Sequence, residues 1–215
     1  MMKKLVIVPI CILFAINCVG EKKASEDALA SALLLVAPVS TGSANTTTLS
    51  SGSVETTQTS GIHTTIVNAS STAEWVYVSL KESGKKTSST SQWDLRFKRF
   101  VIGTNSGTSG TGSGGSCDTS KTNLSDANIN AATCSLVIDS VQSQTGDGGF
   151  GNANDSASPS MFSWYNYDGS THLLTSKGLV YLIMGSEGSL YRLQMLDYYS
   201  SAGTAGYMKF NWKSL

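Results

Sequence analysis

Histidine is almost missing from this sequence: His63 and His172 are the only two in 215 residues. That scarcity leaves no HExxH motif and no cluster of imidazoles for a metal. The G-x-S-x-G elbow of many serine hydrolases is missing as well. Charge is thin too. Lys, Arg, Asp and Glu make up 14% of the chain, 15 basic against 15 acidic, for a formal net charge of +0. No basic patch stands out, so no nucleic-acid partner is expected, because its footprint would be clustered Lys and Arg. Carboxylates are scattered at Glu74, Asp94, Asp139, Asp168, Glu187 and Asp197. Their spacing singles out no pair of the kind a glycosidase needs. Without a catalytic constellation, the expectation is binding and no enzyme activity.

A long apolar run is also missing. Leu5 to Ile16 is the longest near the N-terminus, 12 residues, against about 20 for a membrane-spanning helix. With Lys3 and Lys4 before it, the run has the form of a signal peptide. It ends at Ala15-Ile16-Asn17-Cys18, which resembles a relaxed lipobox. That resemblance implies a signal peptide over residues 1–17 and an acylated Cys18 as the mature N-terminus. An ordinary secretory cut is the other reading. Without Lys3 and Lys4, 13 basic residues face 15 acidic ones. Four cysteines occur in all. Cys11 leaves with the leader and Cys18 carries lipid, so Cys117 and Cys134 remain as an even pair in an exported chain, where a disulfide is expected. Two thiols without neighbouring ligands are too few for zinc.

Residues 24–36 could form a short helix ending before Pro38. Ser40 to Gly61 is rich in Ser and Thr and nearly free of apolar residues, so it reads as a flexible tether. The expected organisation is residues 1–17 as leader, 18–61 as lipidated N-terminus and tether, and 62–215 as one domain, long enough for a real core. From Ile62 onward the hydrophobic period is two. "HTTIVNA", "EWVYVSL", "WDLRFKRFVI", "CSLVID", "LVYLIMG", "LYRLQMLDYYS" and "GYMKFNW" read as strands, with a hairpin turn at Ser186 to Ser189. No sustained helical stripe follows residue 61. The fold class is all-β: a single antiparallel, sandwich-like β domain. Trp75 and Trp93 are expected in its core, Asp94 bonding backbone groups, and Arg99 in a structural ion pair.

Gly110 to Gly115 (GTGSGG) formally matches a dinucleotide fingerprint. That motif works only where it opens a helix whose N-terminus meets a pyrophosphate. Here polar, unpatterned sequence follows, so the match is set aside. Asn105 and the surrounding glycines read as turn-formers.

Three segments, "STAEWVYVSL" (Ser71 to Leu80), "SQWDLRFKRFVIGTNSGTSGTG" (Ser91 to Gly112) and "GLVYLIMGSEGSLYRLQMLDYYSSAGTAGYMKFNW" (Gly178 to Trp212), occur in this order. Together they resemble the HmuY family of haem-binding lipoproteins, over most of residues 62–215. The resemblance implies a lipid-anchored protein of the outer membrane or cell surface. Such a protein takes haem, free or from host haem proteins, and passes it to an outer-membrane haem receptor. It implies His or Met ligands to the haem iron in loops near residues 160–175, with no other metal. His172, between Trp164, Tyr165, Tyr167 and Leu173, Leu174, is the first candidate. Met161 is the thioether candidate, because it lies in a polar loop and methionine sulfur is an accepted ligand. His/Met, one-sided or no coordination all remain open. The alternative is a surface lipoprotein of the same fold that binds host proteins or has a structural role without haem.

Overall fold

The computed structural model describes residues 48–143 and 154–215. The signal peptide, Cys18, the possible helix over 24–36 and the first part of the tether lie outside the described residues. Fourteen strands follow in order: β1 Val54–Thr59, β2 Ile62–Asn68, β3 Val76–Ser79, β4 Lys85–Thr87, β5 Leu95–Lys98, β6 Val101–Thr104 and β7 Gly115–Lys121, then β8 Ser140–Ser143, β9 Asn154–Ala157, β10 Tyr165–Asp168, β11 Leu173–Ser176, β12 Val180–Met184, β13 Leu190–Tyr199 and β14 Ala205–Ser214. No helix occurs among the described residues. A six-stranded sheet runs β1-β2-β14-β13-β12-β7, and a four-stranded sheet runs β4-β3-β5-β6. Two further hairpins, β8–β9 and β10–β11, stand apart from them. Every strand pairing is antiparallel, as the period-two pattern predicts.

Alternation builds the core. On β14, Met208, Phe210 and Trp212 are buried while Lys209, Asn211 and Lys213 are only partly covered. On β5, Leu95 and Phe97 face the same core, and Phe97 stacks on Phe210 with ring centroids 5.3 Å apart. That contact joins the two sheets into a sandwich. Each such large apolar side chain, fully buried, contributes about 1.5–3 kcal/mol. β12 is buried on both faces. Tyr181 and Ile183 meet the main core. Val180 and Leu182 meet a smaller one made with Cys117, Leu124 and Ile129. The covering loop is closed by the disulfide Cys117–Cys134. Arg192 holds the same loop from β13, donating to the carbonyls of Asp126 at 2.9 Å and Ile129 at 2.7 Å.

The fold starts earlier than composition predicts. Val54–Thr59, expected as tether, is a strand paired with β2 from Val54↔Val67 to Thr59↔Ile62. The turn is Ser60-Gly61, both at positive φ (51° and 77°), as a two-residue hairpin requires. A free edge on β2 satisfies the backbone of this Thr-rich stretch, and β-branched threonine suits a strand. Thr56 Oγ1 bonds Thr65 Oγ1 at 2.8 Å and donates to the Gly84 carbonyl at 2.9 Å. Further upstream, the Leu49 carbonyl accepts bonds from Asn68 Nδ2 (2.6 Å) and the Tyr207 hydroxyl (3.0 Å).

The glycine-rich stretch after β6 is a wrapped loop. Asn105 donates from Nδ2 to the Trp93 carbonyl at 2.9 Å and accepts the Gly112 amide at 3.0 Å. A Cβ at Gly110 would stand 2.1 Å from Asn105 Oδ1 and 2.8 Å from the Trp93 ring, so only glycine fits there. Asp94 bonds backbone groups, as expected. One oxygen accepts Leu80 N (2.7 Å) and the other Ser186 N (2.8 Å). Trp93 is buried as expected, at 4% exposure, and lies under the glycine loop. Trp75 does pack on the main core and carries the Arg96 guanidinium 4.1 Å above its ring.

Candidate functional site

β13 sets up the site through a break in its alternation. Tyr191, Leu193 and Met195 point inward, and then register shifts on both sides of Asp197 change the phase. Asp197 Oδ1 accepts the amides of Tyr198 (2.7 Å) and Tyr199 (3.1 Å), which fixes the bulge. Tyr198 thereby turns into the core and Tyr199 to its edge.

An aromatic seat forms around them. Phe100 meets Tyr165 edge-on at 5.5 Å and Tyr198 at 6.3 Å, and Trp164 meets Tyr165 at 5.3 Å. Trp164 Nε1 donates to the Phe100 carbonyl at 2.9 Å. Burial pushes the Tyr198 hydroxyl up to about 12, with Arg99 acting in the opposite sense. Arg99 itself takes a left-handed conformation, donates to the Ser70 carbonyl at 3.1 Å and lies 5.7 Å from the Tyr198 ring centroid.

The hairpin β10–β11 projects from this seat. The Tyr199 hydroxyl accepts Leu174 N at 2.9 Å, and Ser176 Oγ donates to the Met195 carbonyl at 2.7 Å. At the tip, Asp168 accepts Ser170 Oγ (2.6 Å) and Ser170 N (2.8 Å). These bonds hold its carboxyl at about 2, below the usual carboxylate range. His172 closes the turn, its amide donating to the Asp168 carbonyl at 2.8 Å and its φ at 58°. Its ring is exposed, and Nδ1 lies 2.6 Å from the Tyr167 hydroxyl. That bond leaves Nε2 as the nitrogen that can meet a ligand. Beside it Leu173 is 50% exposed. An imidazole with one nitrogen oriented by a partner and the other open is the usual arrangement of a metal-binding histidine.

Met161 is placed differently from expectation. It is 0% exposed and belongs to the main core together with Trp164. Its amide donates to Ser158 Oγ at 3.1 Å, so the turn folds inward and carries the thioether with it. The structure thus sets one candidate ligand at an exposed tip and seals the other inside. His63 is elsewhere, stacked on Trp212 at 4.1 Å. Among the described residues no group of three or more His, Cys, Asp and Glu could hold a metal ion. No helix among them is long and apolar enough to cross a membrane.

Sequence reasoning missed Phe100, Tyr198 and Tyr199 as builders of the seat, and Tyr167 as the partner of His172. The available signal was the pair Tyr198-Tyr199 directly after an acidic residue in a strand, where both rings cannot share one face. Tyr199 also lines an open cleft of about 500 Å3, together with Leu49, Ile66, Tyr207 and Lys209.

Comparison with known proteins adds the family. The model of the HmuY protein family matches residues 71–212. The chain belongs to the HmuY family. Solved structures agree on the fold of this HmuY-family chain. A candidate lipoprotein from Bacteroides fragilis is 20% identical with a TM-score of 0.57, covering 73% of this chain and 93% of its own. A candidate HmuY-like haem-binding protein from Bacteroides vulgatus is 17% identical with a TM-score of 0.56, covering 71% and 91%. The apo form of a HmuY analogue from Tannerella forsythia is 15% identical with a TM-score of 0.55, covering 74% and 95%. No curated protein matches significantly.

Proposed function

We propose that this HmuY-family protein is a surface lipoprotein that binds haem or a related porphyrin, without catalytic turnover, and passes it to an uptake system. One observation carries the reading: His172 stands exposed at the tip of a braced hairpin with Nδ1 held by Tyr167. Exposed Leu173 and the half-buried rings of Tyr165 and Tyr167 supply apolar surface of the kind a porphyrin needs. Acylation at Cys18, after removal of residues 1–17, would hold the domain at the cell surface near an outer-membrane receptor. Met161 would ligate iron only if the turn around it opened. The proposal is therefore one-sided coordination through His172, with the opposite face of the iron open to an external donor. A single protein bond suits a carrier that must release its cargo.

The burial of Met161 also favours a second reading, in which the fold holds a host protein or has a structural role and the haem is lost. Titration with haemin separates the two. A saturable Soret shift below about 10 μM, equivalent to roughly 7 kcal/mol, supports the carrier when His172→Ala abolishes it. No saturable change in that range supports the second reading.

A further inference from the structure

A second cleft opens beside Trp93, just before β5. The outer face of the four-stranded sheet carries Tyr77 on β3, whose neighbours Val76 and Val78 point into the core. Tyr77 is half-buried and meets Trp93 edge-to-face, 5.1 Å between centroids at 70°. The glycine loop closes over Trp93 from one side, and the polar stretch Ser89 to Gln92 rises on the other. Between them lies a space of about 510 Å3, within the range of small-ligand sites.

Its lining decides what it could hold. Twelve residues line it, and none is charged. Nearby cations are engaged elsewhere. The Arg96 guanidinium donates to Ser109 Oγ (2.8 Å) and the Ser156 carbonyl (2.7 Å), and Lys81 pairs with Glu187. Phosphate, sulfate and nucleic-acid ligands would find no counter-charge in the lining, and the carboxylate beside Gln92, Glu187, is already paired with Lys81. A purely apolar ligand would bury hydroxyls without partners, at a cost. The floor is rigid, because Asn105 and Ser109 spend their polar groups on the Trp93 carbonyl and on Asp139. The rim is different. Thr90, Ser91 and Thr111 are exposed, and the first two are linked through Ser88 at 3.1 and 2.9 Å. Hydroxyls that can both donate and accept, set beside an aromatic ring, match a ligand with many hydroxyls and a C–H face.

We propose that this cleft is a binding site for neutral carbohydrate, with Tyr77 as the ring against which a sugar packs and the Ser89–Gln92 and Thr111 rims as its hydrogen-bonding walls. It shares no residue with the His172 hairpin and stands or falls independently of haem binding. The test is an array of neutral, sialylated and sulfated glycans probed with the full chain, followed by calorimetric titration of the best neutral oligosaccharide. Neutral glycans bind with a Kd below about 1 mM. Thr111→Trp, which fills the cleft from an exposed loop position, weakens that binding at least tenfold. Tyr77→Ser does the same, while His172→Ala leaves it unchanged. The proposal is overturned if no neutral glycan binds below that value, if only sialylated or sulfated glycans bind, or if Thr111→Trp binds like the parent.

Discussion

Asp139 shows how much one side chain can organise. Its carboxylate accepts Thr104 Oγ1 (2.6 Å), Thr104 N (2.9 Å) and Ser109 Oγ (2.6 Å). Its own carbonyl accepts Thr108 N at 3.1 Å. It thus pins the entry to the glycine loop. Burial raises its pKa above the ordinary 3.8, and the three donors together with Arg96 only partly offset that. The sign follows from linkage. A carboxyl whose folded pKa lies above its unfolded one binds more protons in the folded state, so stability falls as pH rises through that window. The contribution is full below pH 3.8 and is lost once pH passes the folded value. Denaturant titrations between pH 3 and 7 should therefore show a downward slope from this group. In Asp139→Asn that slope should be missing, with stability lowered at all pH values because the amide cannot accept three donors as well. An unchanged slope in the variant would contradict the assignment. At the same scale, the sequence offered His172 and Met161 as candidates without saying which would be exposed, and the thioether is the one turned into the core. A polar loop around a methionine says nothing of which side chain turns inward, and here Ser158 decides it through one backbone bond.

Strands were legible where one face is buried and the other is not. β14 from Met208 to Lys213 and the first half of β13 alternate without a fault, and the turn before β13 closes as its Ser-Glu-Gly-Ser pattern predicts, with Gly188 at φ 87°. Legibility ended where tertiary contacts outweigh local composition. The bulge at Asp197 shifts the phase by one residue, and no periodicity announces it. β1 is polar enough to read as tether, and only the free edge of β2 makes it a strand. A concrete consequence is that a chain beginning at Ile62 loses six paired residues and the clamp on Leu49. At the lower end of roughly 0.5–1.5 kcal/mol net for each hydrogen bond, as suits a solvent-exposed edge strand, about 3 kcal/mol is at stake. That is a fall of roughly 6–12 °C in Tm for a domain of this size. A chain beginning at Thr48 should melt like the parent from that point onward. Equal melting of both truncations in calorimetry would show that β1 contributes nothing.

For the whole molecule, the sandwich and the HmuY family were both legible, because "WDLRFKRFVIGTNSGTSG" and the C-terminal hairpin carry structural residues. Asp94, Asn105 and the glycines around Trp93 build the loop there. The candidate ligands are a separate matter, since their positions depend on how the β10–β11 hairpin and the turn at Met161 stand, which no motif in the chain encodes. The proposed anchor has its own test. In a bacterial host that processes lipoproteins, the parent chain should partition into the detergent phase, and Cys18→Ser should move to the aqueous phase or keep its leader. Equal partitioning of the two would dismiss the anchor. The haem carrier itself is tested most directly by haemin affinity across three chains, parent, Tyr167→Phe and His172→Ala, read from the Soret band. An orienting partner of a ligating histidine is worth about 10–100-fold in affinity. The account predicts tight, saturable binding for the parent, a loss of about that size for Tyr167→Phe, and no saturable band for His172→Ala. Binding that is equal in all three chains would contradict it.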